Sequence, residues 1–308
     1  MGIVVIGAIF VDIKGYPLAP FIPGGRNVGK VVQVHGGVNR NIAEDIANIE
    51  LAPTFIGLVD NTGIGEDVIR KLNKHKVNTR YIKKTPDGLG TWLAIFDNSG
   101  DVVASISKRP DLLPILDILD ESGDEIFSAA DSIVVEIDIE TPILKKVLEL
   151  AQKYNKKVYS PVSNMSIALG RRDLLKEVDC LVCNRLEAEI LFSDRFEDMD
   201  AAQLETVLIK KLKFAQIPKM VVTLGGDGAI YASLDGSHGF CPSKRVEVID
   251  TTGAGDSFFA GVAIGLTYGK TLAESCEIGA RMAASVITSR ENVCPRFLPE
   301  ELGIHLTK

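Results

Sequence analysis

A carboxylate stands directly behind a turn of small residues in the segment DTTGAGDSFFAG, Asp250 to Gly261. Gly253, Ala254 and Gly255 allow a sharp turn and a close approach of the backbone to a ligand. The residues after Asp256 fit a helix, whose first N–H groups would favour an anion. Alternatively, Asp256 is only a first-turn acid that stabilises this helix by about 0.3–1 kcal/mol. The segment indicates either an anion site with an acid beside it or a simple helix start.

A second glycine-rich segment, Gly265 to Thr271, has to be distinguished from a phosphate-binding loop. Its sequence, GLTYGKT, is similar to a P-loop, but three residues separate its glycines where that loop has four. It also follows a predicted helix, whereas a P-loop follows a strand. We interpret Gly269 as the end of one helix and Thr271 as the N-cap of the next.

The composition argues against two classes of protein. The chain has 308 residues, of which 46% are hydrophobic and 24% are charged, as in a globular protein with a large core. A formal net charge of −7 argues against binding to a nucleic-acid backbone. No run of about 18 apolar residues is present, so we expect no membrane span. The N-terminal MGIVVIGAIFVD is typical of a buried strand rather than of a signal peptide.

The cysteines indicate a reducing, cytoplasmic location, because there are five of them and they are scattered. Cys180 and Cys183 form a CxxC pair, but no second pair or nearby histidine completes a metal site. We therefore expect both side chains to pack in the core.

The apolar pattern predicts an α/β fold. In the first part of the chain it indicates strands over 2–10 and 30–34, a helix over 39–49, and a hairpin of strands over 89–96 and 101–107 with its turn at 97–100. Further on, strands over 132–137, 157–160, 180–183, 219–223, 229–233 and 245–248 alternate with helices over 141–154, 185–191, 254–267 and 271–288. Such alternation is typical of a parallel sheet with helices on both faces. We expect an α/β body of residues 1–12, 36–87 and 108–308, and a small β lid of residues 13–35 and 88–107.

Four motifs occur in a fixed order: GGVNRNIA from Gly36, NRLE from Asn184, TLGGDG from Thr223, and DTTGAGDSFFAG from Asp250. Together they resemble the ribokinase-like (PfkB) family of carbohydrate and nucleoside kinases, over nearly the whole chain. The resemblance implies a three-layer α/β/α fold with a mainly parallel sheet and a small β-sheet lid. It also implies an ATP-dependent kinase that phosphorylates an alcohol group of a small sugar or nucleoside.

The resemblance assigns roles on the phosphate side of the site. Asp256 would be the general base, and the N–H groups of Gly253, Ala254 and Gly255 would hold the migrating phosphoryl group. Glu187, with Asn184, would organise Mg²⁺ through water, although a helix cap with a first-turn acid has the same sequence. The remaining assignments are Thr223, Gly225 and Gly228 beside ATP, and Asp250 and Thr252 at a monovalent cation such as K⁺.

On the acceptor side, the resemblance implies that the substrate hydroxyls contact Asp12, at the end of the first strand, together with Gly36, Gly37 and Asn41. Trp92, on a lid strand, either packs in the lid or stacks on a base. The GGVNRNIA segment, the PVS at 161–163 and the NRLEAE run are most similar to pseudouridine kinases, which implies 5′-phosphorylation of pseudouridine. Three residues depart from the common pattern, namely Asn39, Ser160 and Met165.

Other functions stay open. A ribokinase- or fructokinase-type sugar kinase, or an ordinary nucleoside kinase, would share the phosphoryl-transfer residues. A catalytically silent sugar-binding regulatory relative would not need Asp256 and Glu187 together. A dinucleotide-dependent oxidoreductase would need a GxGxxG turn after the first strand, which residues 5–10 lack. The resemblance also implies a homodimer in which the β lids of two subunits pair.

Overall fold

The structure is a computed structural model that describes residues 2–98 and 101–305. Its strands are β1 (Ile3–Ile6), β2 (Phe10–Pro17), β3 (Gly29–Gly36), β4 (Thr54–Val59), β5 (Asn78–Lys84), β6 (Gly90–Phe96), β7 (Val102–Lys108), β8 (Ser132–Val135), β9 (Lys157–Pro161), β10 (Cys180–Asn184), β11 (Lys219–Thr223), β12 (Gly228–Ser233) and β13 (His238–Pro242). Its α-helices are α1 (Val38–Asn48), α2 (Gly63–Lys74), α3 (Ile115–Ala129), α4 (Thr141–Lys153), α5 (Met165–Ala168), α6 (Arg185–Phe192), α7 (Ala201–Ala215), α8 (Ala254–Thr267) and α9 (Leu272–Ile287). Short 3₁₀ turns cover Leu169–Glu177, Gly225–Asp227 and Pro299–Leu302.

The main sheet has the strand order β13-β12-β11-β10-β9-β8-β1-β4-β5. The strands from β11 to β5 in this order pair in parallel, whereas β12 and β13 run antiparallel at one edge. This mainly parallel sheet confirms the predicted α/β architecture.

Apolar side chains cover both faces of the main sheet, as β1 illustrates. All four of its residues, IVVI, are buried. Val4 and Ile6 belong to one hydrophobic cluster, and Ile3 and Val5 belong to another, because successive side chains of a strand point to opposite faces. Helices α3, α4 and α7 contribute to the first cluster, and α1, α8 and α9 contribute to the second. The sheet is therefore the middle of three layers.

The parallel strands bring their carboxyl ends to one edge of the main sheet. Gly7 follows β1, Glu136 follows β8, Asn184 ends β10 and Thr223 ends β11. Ligands of open α/β sheets bind outside this edge, so these polar residues lie where a site is expected.

A second sheet has the order β3-β2-β6-β7. β2 pairs antiparallel with β3 and parallel with β6. Only residues 7–9 separate β1 from β2, and β3 ends directly before α1. The second sheet is therefore attached close to the carboxyl edge of the main sheet. The predicted division of the chain into body and lid remains a prediction.

Residues 2–10 do not form the single strand that their apolar pattern predicts. Gly7 still donates a hydrogen bond to the Ile56 carbonyl (3.2 Å), but Phe10 already pairs with Gly36 and Gly90 of the second sheet. Asp12 therefore lies within a strand of the second sheet, not at the end of the first strand.

The predicted strand over 245–248 is wrong. The strand that pairs with β12 is β13, so the edge beside β12 is already occupied. Val246 and Val248 alternate with charged residues but are exposed. The predicted hairpin is present as β6 and β7, and two of its turn residues, Ser99 and Gly100, lie outside the described residues.

Three further expectations bear on possible alternative sites. All five cysteines are free and buried, which confirms core packing for Cys180 and Cys183 on β10. Thr271 caps α9, as predicted, and the segment before it follows helix α8 rather than a strand. Across residues 2–98 and 101–305, no helix is long and apolar enough to cross a membrane.

Candidate active site

The N-terminus of α8 forms the first part of the site. The helix begins at Ala254, directly after Gly253, whose φ of +81° favours glycine. A Cβ at Gly253 would overlap the carbonyl group of Asn292, so a side chain does not fit there. Asp256 lies in the first turn of the helix. The segment therefore folds into a sharp turn with an acid directly behind it.

Two of the three N–H groups assigned to the phosphoryl group are open to a ligand. The Ala254 N–H donates to the Thr251 carbonyl (3.2 Å), which closes the turn. In the part of the chain that the structure describes, the N–H groups of Gly253 and Gly255 make no hydrogen bond. Open N–H groups at a helix N-terminus favour an anion. The anion site thus consists of the two glycine amides, with the alanine amide engaged.

Helix α1 holds the acid of this turn. Asn41 Nδ2 donates to Asp256 Oδ2 at 2.6 Å. Burial raises the pKa of Asp256 to about 6, while the Asn41 hydrogen bond and the Arg40 charge lower it, and the Asp12 charge raises it. A carboxylate with this pKa is ionised at neutral pH and accepts a proton more readily than an ordinary aspartate. Asp256 therefore has the properties of a general base.

Asp12 faces the same cleft from β2. A Cβ at Gly36 would come within 2.5 Å of Asp12 Oδ2, so the carboxylate lies against the glycine backbone. Burial raises the pKa of Asp12, and the charges of Lys14 and Arg40 lower it. Gly37, the N-cap of α1, follows directly. The predicted acceptor residues thus surround Asp256, although the sequence placed Asp12 on a different strand.

Aromatic rings lie beside Asp12 in the second sheet. Trp92 on β6 is the register partner of Asp12 on β2, and such partners direct their side chains to the same face. Phe96 packs edge-on against Trp92, with 6.4 Å between the ring centroids. Tyr16 stacks on Phe96 at 4.9 Å. The face of the second sheet that carries Asp12 therefore also carries a cluster of three aromatic rings.

Asn184 and Thr223 lie side by side, as register partners at the ends of β10 and β11. Asn184 caps α6: its Oδ1 accepts from the Glu187 N–H (2.8 Å), and Glu187 Oε2 accepts from the Asn184 N–H (2.7 Å). The helix-cap interpretation of these residues is therefore correct as geometry. Only Oε2 of Glu187 takes part in this cap, so its Oε1 is available to a ligand. Burial raises the pKa of this carboxyl.

The turn after β11 completes the second half of the site. Gly225 begins the 3₁₀ turn and Gly228 begins β12. The Leu224 N–H donates to the Gly228 carbonyl at 2.7 Å, which closes the turn. Nothing lies within 4 Å of where a Cβ of Gly225 or Gly226 would stand. The backbone of this turn is therefore accessible next to Thr223.

Buried acids after β8 link the two halves of the site. Ser163 Oγ donates to Asp138 Oδ2 (2.7 Å) and to Glu136 Oε2 (3.2 Å). Burial raises the pKa of Glu136 to about 8, and a Cβ at Gly7 would come within 2.7 Å of both Glu136 Oε1 and Asn39 Nδ2. Asp138 acts electrostatically on Glu187. The sequence analysis missed these acids, although two acids directly after the apolar SIVV run were a usable signal.

Asp250 and Thr252 lie in the wall of a polar cavity of about 280 Å³. Asp250 Oδ1 accepts from the Thr252 N–H at 2.8 Å. Lys14 of β2, Arg290 and Asn292 also line the cavity. Because the Asn292 carbonyl lies against Gly253, the cavity adjoins the N-terminus of α8.

The sequence of this chain matches a known protein family. Residues 2–294 match the model of the pfkB family carbohydrate kinases. The chain belongs to this family. Relatives in it are named kinases, and the chain is an ATP-dependent kinase of sugars or nucleosides.

Named relatives of this PfkB protein include two nucleoside kinases. The chain is 34% identical over 293 residues to the guanosine-inosine kinase of Exiguobacterium acetylicum, covering 94% of this chain and 95% of the relative. It is 29% identical over 278 residues to the pseudouridine kinase of Escherichia coli (strain K12), covering 89% and 86%. The structure of Arabidopsis thaliana ribokinase complexed with ribose and ATP covers 97% of both chains with a TM-score of 0.83 at 20% identity. This likeness confirms the ribokinase fold.

Kinases of the PfkB family use ATP, typically with Mg²⁺. Among the residues that the structure describes, no group of three or more His, Cys, Asp or Glu side chains could hold a metal ion. Mg²⁺ usually keeps several waters and binds through one or two carboxylates plus substrate phosphates. The free Glu187 Oε1 fits that requirement. The donor set therefore suits a magnesium ion that arrives with the nucleotide.

Proposed function

We propose that this PfkB kinase transfers the γ-phosphoryl group of ATP to the 5′-hydroxyl of a nucleoside. The observation that carries the proposal is the position of Trp92 beside Asp12. The Asp12 carboxylate suits ribose hydroxyls, and the indole offers a flat surface to a base on the same side of the sheet. A plain sugar has no aromatic base to stack on the indole.

Two kinds of nucleoside, with different nucleobases, are the leading candidates for the phosphate acceptor. The motif details are most similar to pseudouridine kinases, whereas the guanosine-inosine kinase has the higher identity of the two named relatives, 34% against 29%. We therefore place guanosine and inosine beside pseudouridine as the first acceptors to test. Uridine, adenosine, ribose and fructose are the alternatives within the family's range.

In the proposed reaction, Asp256 takes the proton of the attacking hydroxyl. The oxygen–phosphorus bond to the acceptor forms while the bond from the γ-phosphorus to the ADP oxygen breaks. Asn41 occupies Asp256 Oδ2, which leaves Oδ1 for the hydroxyl proton. The pKa of about 6 supports this role, because the group is ionised at neutral pH and is still basic enough to accept a proton.

The N-terminus of α8 would stabilise the charge of the transferred group. The N–H groups of Gly253 and Gly255 would donate to its oxygens without first breaking a bond within the protein. The Ala254 N–H would join them only by giving up its bond to the Thr251 carbonyl. Donors fixed before the reaction need no reorganisation when negative charge develops, which is the source of their catalytic effect.

The second half of the site would bind the nucleotide. We assign ATP to the turn of Thr223, Gly225 and Gly228, next to Asn184. Mg²⁺, when bound with ATP, neutralises charge on the phosphates, and Glu187 Oε1 would hold one of its waters.

We also propose a monovalent cation, K⁺, near Asp250 and Thr252. Their cavity adjoins the N-terminus of α8, and the Asp250 carboxylate and Thr252 hydroxyl are oxygen ligands that suit a hard cation. Lys14 and Arg290 line the same cavity, so the proposed ion would lie on the Asp250 side of it.

We propose that the second sheet is a lid that also pairs two subunits. On the face opposite Asp12, Val31, Leu93 and Ile106 are 72%, 40% and 70% exposed. Register places them on one face, since Leu93 pairs with both Ile13 and Ile106, and Val31 pairs with Gly15. A cluster of exposed apolar side chains is typical of a protein–protein contact. A second copy of this chain, presenting the same cluster, is the proposed partner.

A substrate panel tests the proposed function. ADP formation is measured with ATP, Mg²⁺ and each of guanosine, inosine, pseudouridine, uridine, adenosine, ribose and fructose, and the phosphorylated oxygen is identified by NMR. We expect kcat/KM for at least one nucleoside to exceed that for ribose by about tenfold or more, with phosphate on the 5′ oxygen. A higher kcat/KM for ribose or fructose than for every nucleoside would reject a nucleoside as the acceptor.

A further inference from the structure

Arg40 lies beside residues 35–37, which we call the acceptor loop. Its side chain is charged, yet it is only 1% exposed. Its Nη1 donates to Glu44, one helical turn further on. Its Nη2 donates to the His35 carbonyl and to Asn41 Oδ1, and its Nε donates to the Gly36 carbonyl at 3.4 Å. A charge enclosed in this way is costly unless its donors are paired. Apart from the bond to Glu44, the Arg40 donors bond to the acceptor loop and to Asn41.

The orientation of the Asn41 amide follows from its neighbours. Its Oδ1 accepts from Arg40 Nη2 and also from Asn292 Nδ2, the latter at 3.2 Å. If the amide turned by 180°, its NH₂ group would face these two donors. The NH₂ group is therefore directed to Asp256, where it donates at 2.6 Å.

We propose that Arg40 is a positioning residue for phosphoryl transfer, which holds the Asn41 amide oxygen and thereby keeps the amide NH₂ on Asp256. The same guanidinium ties down the backbone at His35 and Gly36, against which Asp12 lies. Its Nε, Nη1 and Nη2 are all engaged by protein groups and its side chain is 1% exposed, so it acts through Asn41 and the loop. The proposal rests on the proposed role of Asp256 as the base.

The Arg40 charge also acts on the site directly. It lowers the pKa of Asp256 and of Asp12, against the effect of burial. The groups that face Asp256 are Asn41, Arg40 and Asp45 from α1, and Asp12 from β2. Arg40 is the cation among them. Its loss would release the amide and leave the acids without that charge, and both changes favour the protonated form of Asp256.

Replacing Arg40 alone would leave the buried Glu44 carboxylate with Lys71 (3.4 Å) and His75 (3.1 Å) as its ion-pair partners and with the Oε2 that Arg40 bonds unpaired, so the test uses a pair. The Arg40→Met/Glu44→Gln variant removes both charges together, and Glu44→Gln alone keeps the bonds from Arg40 to Asn41 and the loop. We measure kcat and KM from about pH 5 to 9, with the acceptor that the wild type uses best.

We expect kcat of the double variant to fall about tenfold or more at pH 7, and the acid limb of its kcat profile to move up by about one pH unit. KM for ATP should stay within about twofold, because the nucleotide side is untouched. For Glu44→Gln we expect a smaller loss and an acid limb within about 0.3 pH units of wild type. A folded double variant with wild-type kcat and acid limb would overturn the proposal.

Arg40→Lys covers the case in which the double variant does not fold. Lysine keeps a cation beside Glu44 but lacks the planar fork that reaches Asn41 and two carbonyls at once. A kcat about tenfold lower with an unchanged KM for ATP supports the proposal, and a wild-type kcat overturns it. Failure of the proposed function gives different results. If turnover survives Asp256→Asn, Asp256 is not the general base. If a sugar is a better substrate than every nucleoside, only the proposed nucleoside acceptor is rejected.

Discussion

Asn41 Nδ2 donates a hydrogen bond of 2.6 Å to Asp256 Oδ2, across 215 residues of sequence. The bond ties the acceptor loop at the start of α1 to the anion site at the start of α8. Because one atom of the base is held and the other is free, the direction from which a hydroxyl can approach is restricted. In the proposed mechanism, acceptor binding and proton removal therefore share this contact between the two helices.

The first prediction concerns the base. Asp256→Asn keeps the size of the side chain but removes its basicity, so we expect kcat to fall by about 10²–10⁴. ATP binding should stay nearly unchanged, because the nucleotide turn lies on β11 and β12. Steady-state kinetics and ATP titration by calorimetry measure the two effects. The matched control is Asp173→Asn, on an exposed site; near-normal kcat in Asp256→Asn would contradict the assignment.

The second prediction concerns pH. A general base works only as the carboxylate, so kcat should rise with pH through about 6, the pKa to which burial raises Asp256. Since the Asn41 hydrogen bond lowers this pKa, Asn41→Leu should move the acid limb of kcat upward by about 0.5–1 pH unit. The profile is recorded at saturating acceptor, because Asn41 is also a proposed substrate contact. A limb that stays in place would show that the hydrogen bond does not tune the base.

The third prediction separates a nucleoside from a sugar. Stacking of a base on an aromatic ring contributes about 1–3 kcal/mol, so Trp92→Ala should lower kcat/KM for the best nucleoside by about fivefold to 150-fold. The value for ribose should change by less than about twofold, since ribose lacks a base. Phe214→Ala, which truncates an aromatic residue that is 91% exposed on α7, is the control. Equal losses for nucleoside and ribose would mean that Trp92 only packs within the sheet.

The fourth prediction concerns stability. Asp45 accepts hydrogen bonds from Ser257 Oγ (2.7 Å) and the Cys294 N–H (2.6 Å), and burial raises its pKa to about 7. A carboxyl whose pKa is higher in the folded state stabilises the fold fully below the unfolded pKa, near 3.8, and loses this effect as pH rises through 7. In the Asp45→Asn variant, the amide at this position does not ionise. The Ser257 hydroxyl can rotate to accept a hydrogen bond from the amide NH₂ group.

We therefore expect Asp45→Asn to gain stability relative to wild type between pH 5 and pH 8, by up to about 3 kcal/mol. Urea unfolding at both pH values measures this difference. Glu300→Gln, at an exposed position, should differ from wild type equally at the two pH values. An Asp45→Asn difference that does not grow with pH would show that Asp45 is not protonated in the folded protein near pH 5.

The fifth prediction concerns the oligomer. If the outer face of the second sheet pairs two subunits, Val31→Glu/Ile106→Glu places charges within the contact and should produce monomers. Light scattering compares this variant with the wild type, which should be a dimer. Phe214→Glu adds a charge at another exposed apolar residue and should leave the dimer intact. A monomeric wild type, or a dimer that persists in the double variant, would reject the lid contact.

Some parts of the site were predictable because they are local. The N-terminus of α8 at Ala254, the cap of α6 at Asn184 and the turn at Gly225 each depend on residues within one or two turns of chain. Their motifs therefore predicted these local structures, which carry the proposed phosphoryl-transfer residues, before any contact was known. The buried acids Glu136 and Asp138 were missed. They follow the end of β8 but belong to none of the four motifs.

The periodicity of apolar residues predicted burial better than it predicted the positions of strands. Residues 2–10 are apolar throughout, yet they divide between two sheets, because pairing with Gly36 and Gly90 draws Phe10 away from the main sheet. Residues 245–248 alternate as a strand does, but β13 already pairs with β12. An apolar pattern reports which side chains can be buried, and it does not report which neighbour is available to pair.

The sequence by itself determined the α/β class and the helix that carries Asp256, since both depend on short-range spacing, and the resemblance of its four motifs to the PfkB family implied the kinase chemistry. Only the tertiary structure decided that Asn41 reaches Asp256, that Arg40 orients Asn41, and that Trp92 stands beside Asp12. The physical reason is that contacts between distant segments depend on strand register and helix packing, which the whole core fixes together. The acid and its glycine turn are thus encoded locally, while the contacts that shift the pKa of Asp256 and form the proposed acceptor site exist only in the folded chain.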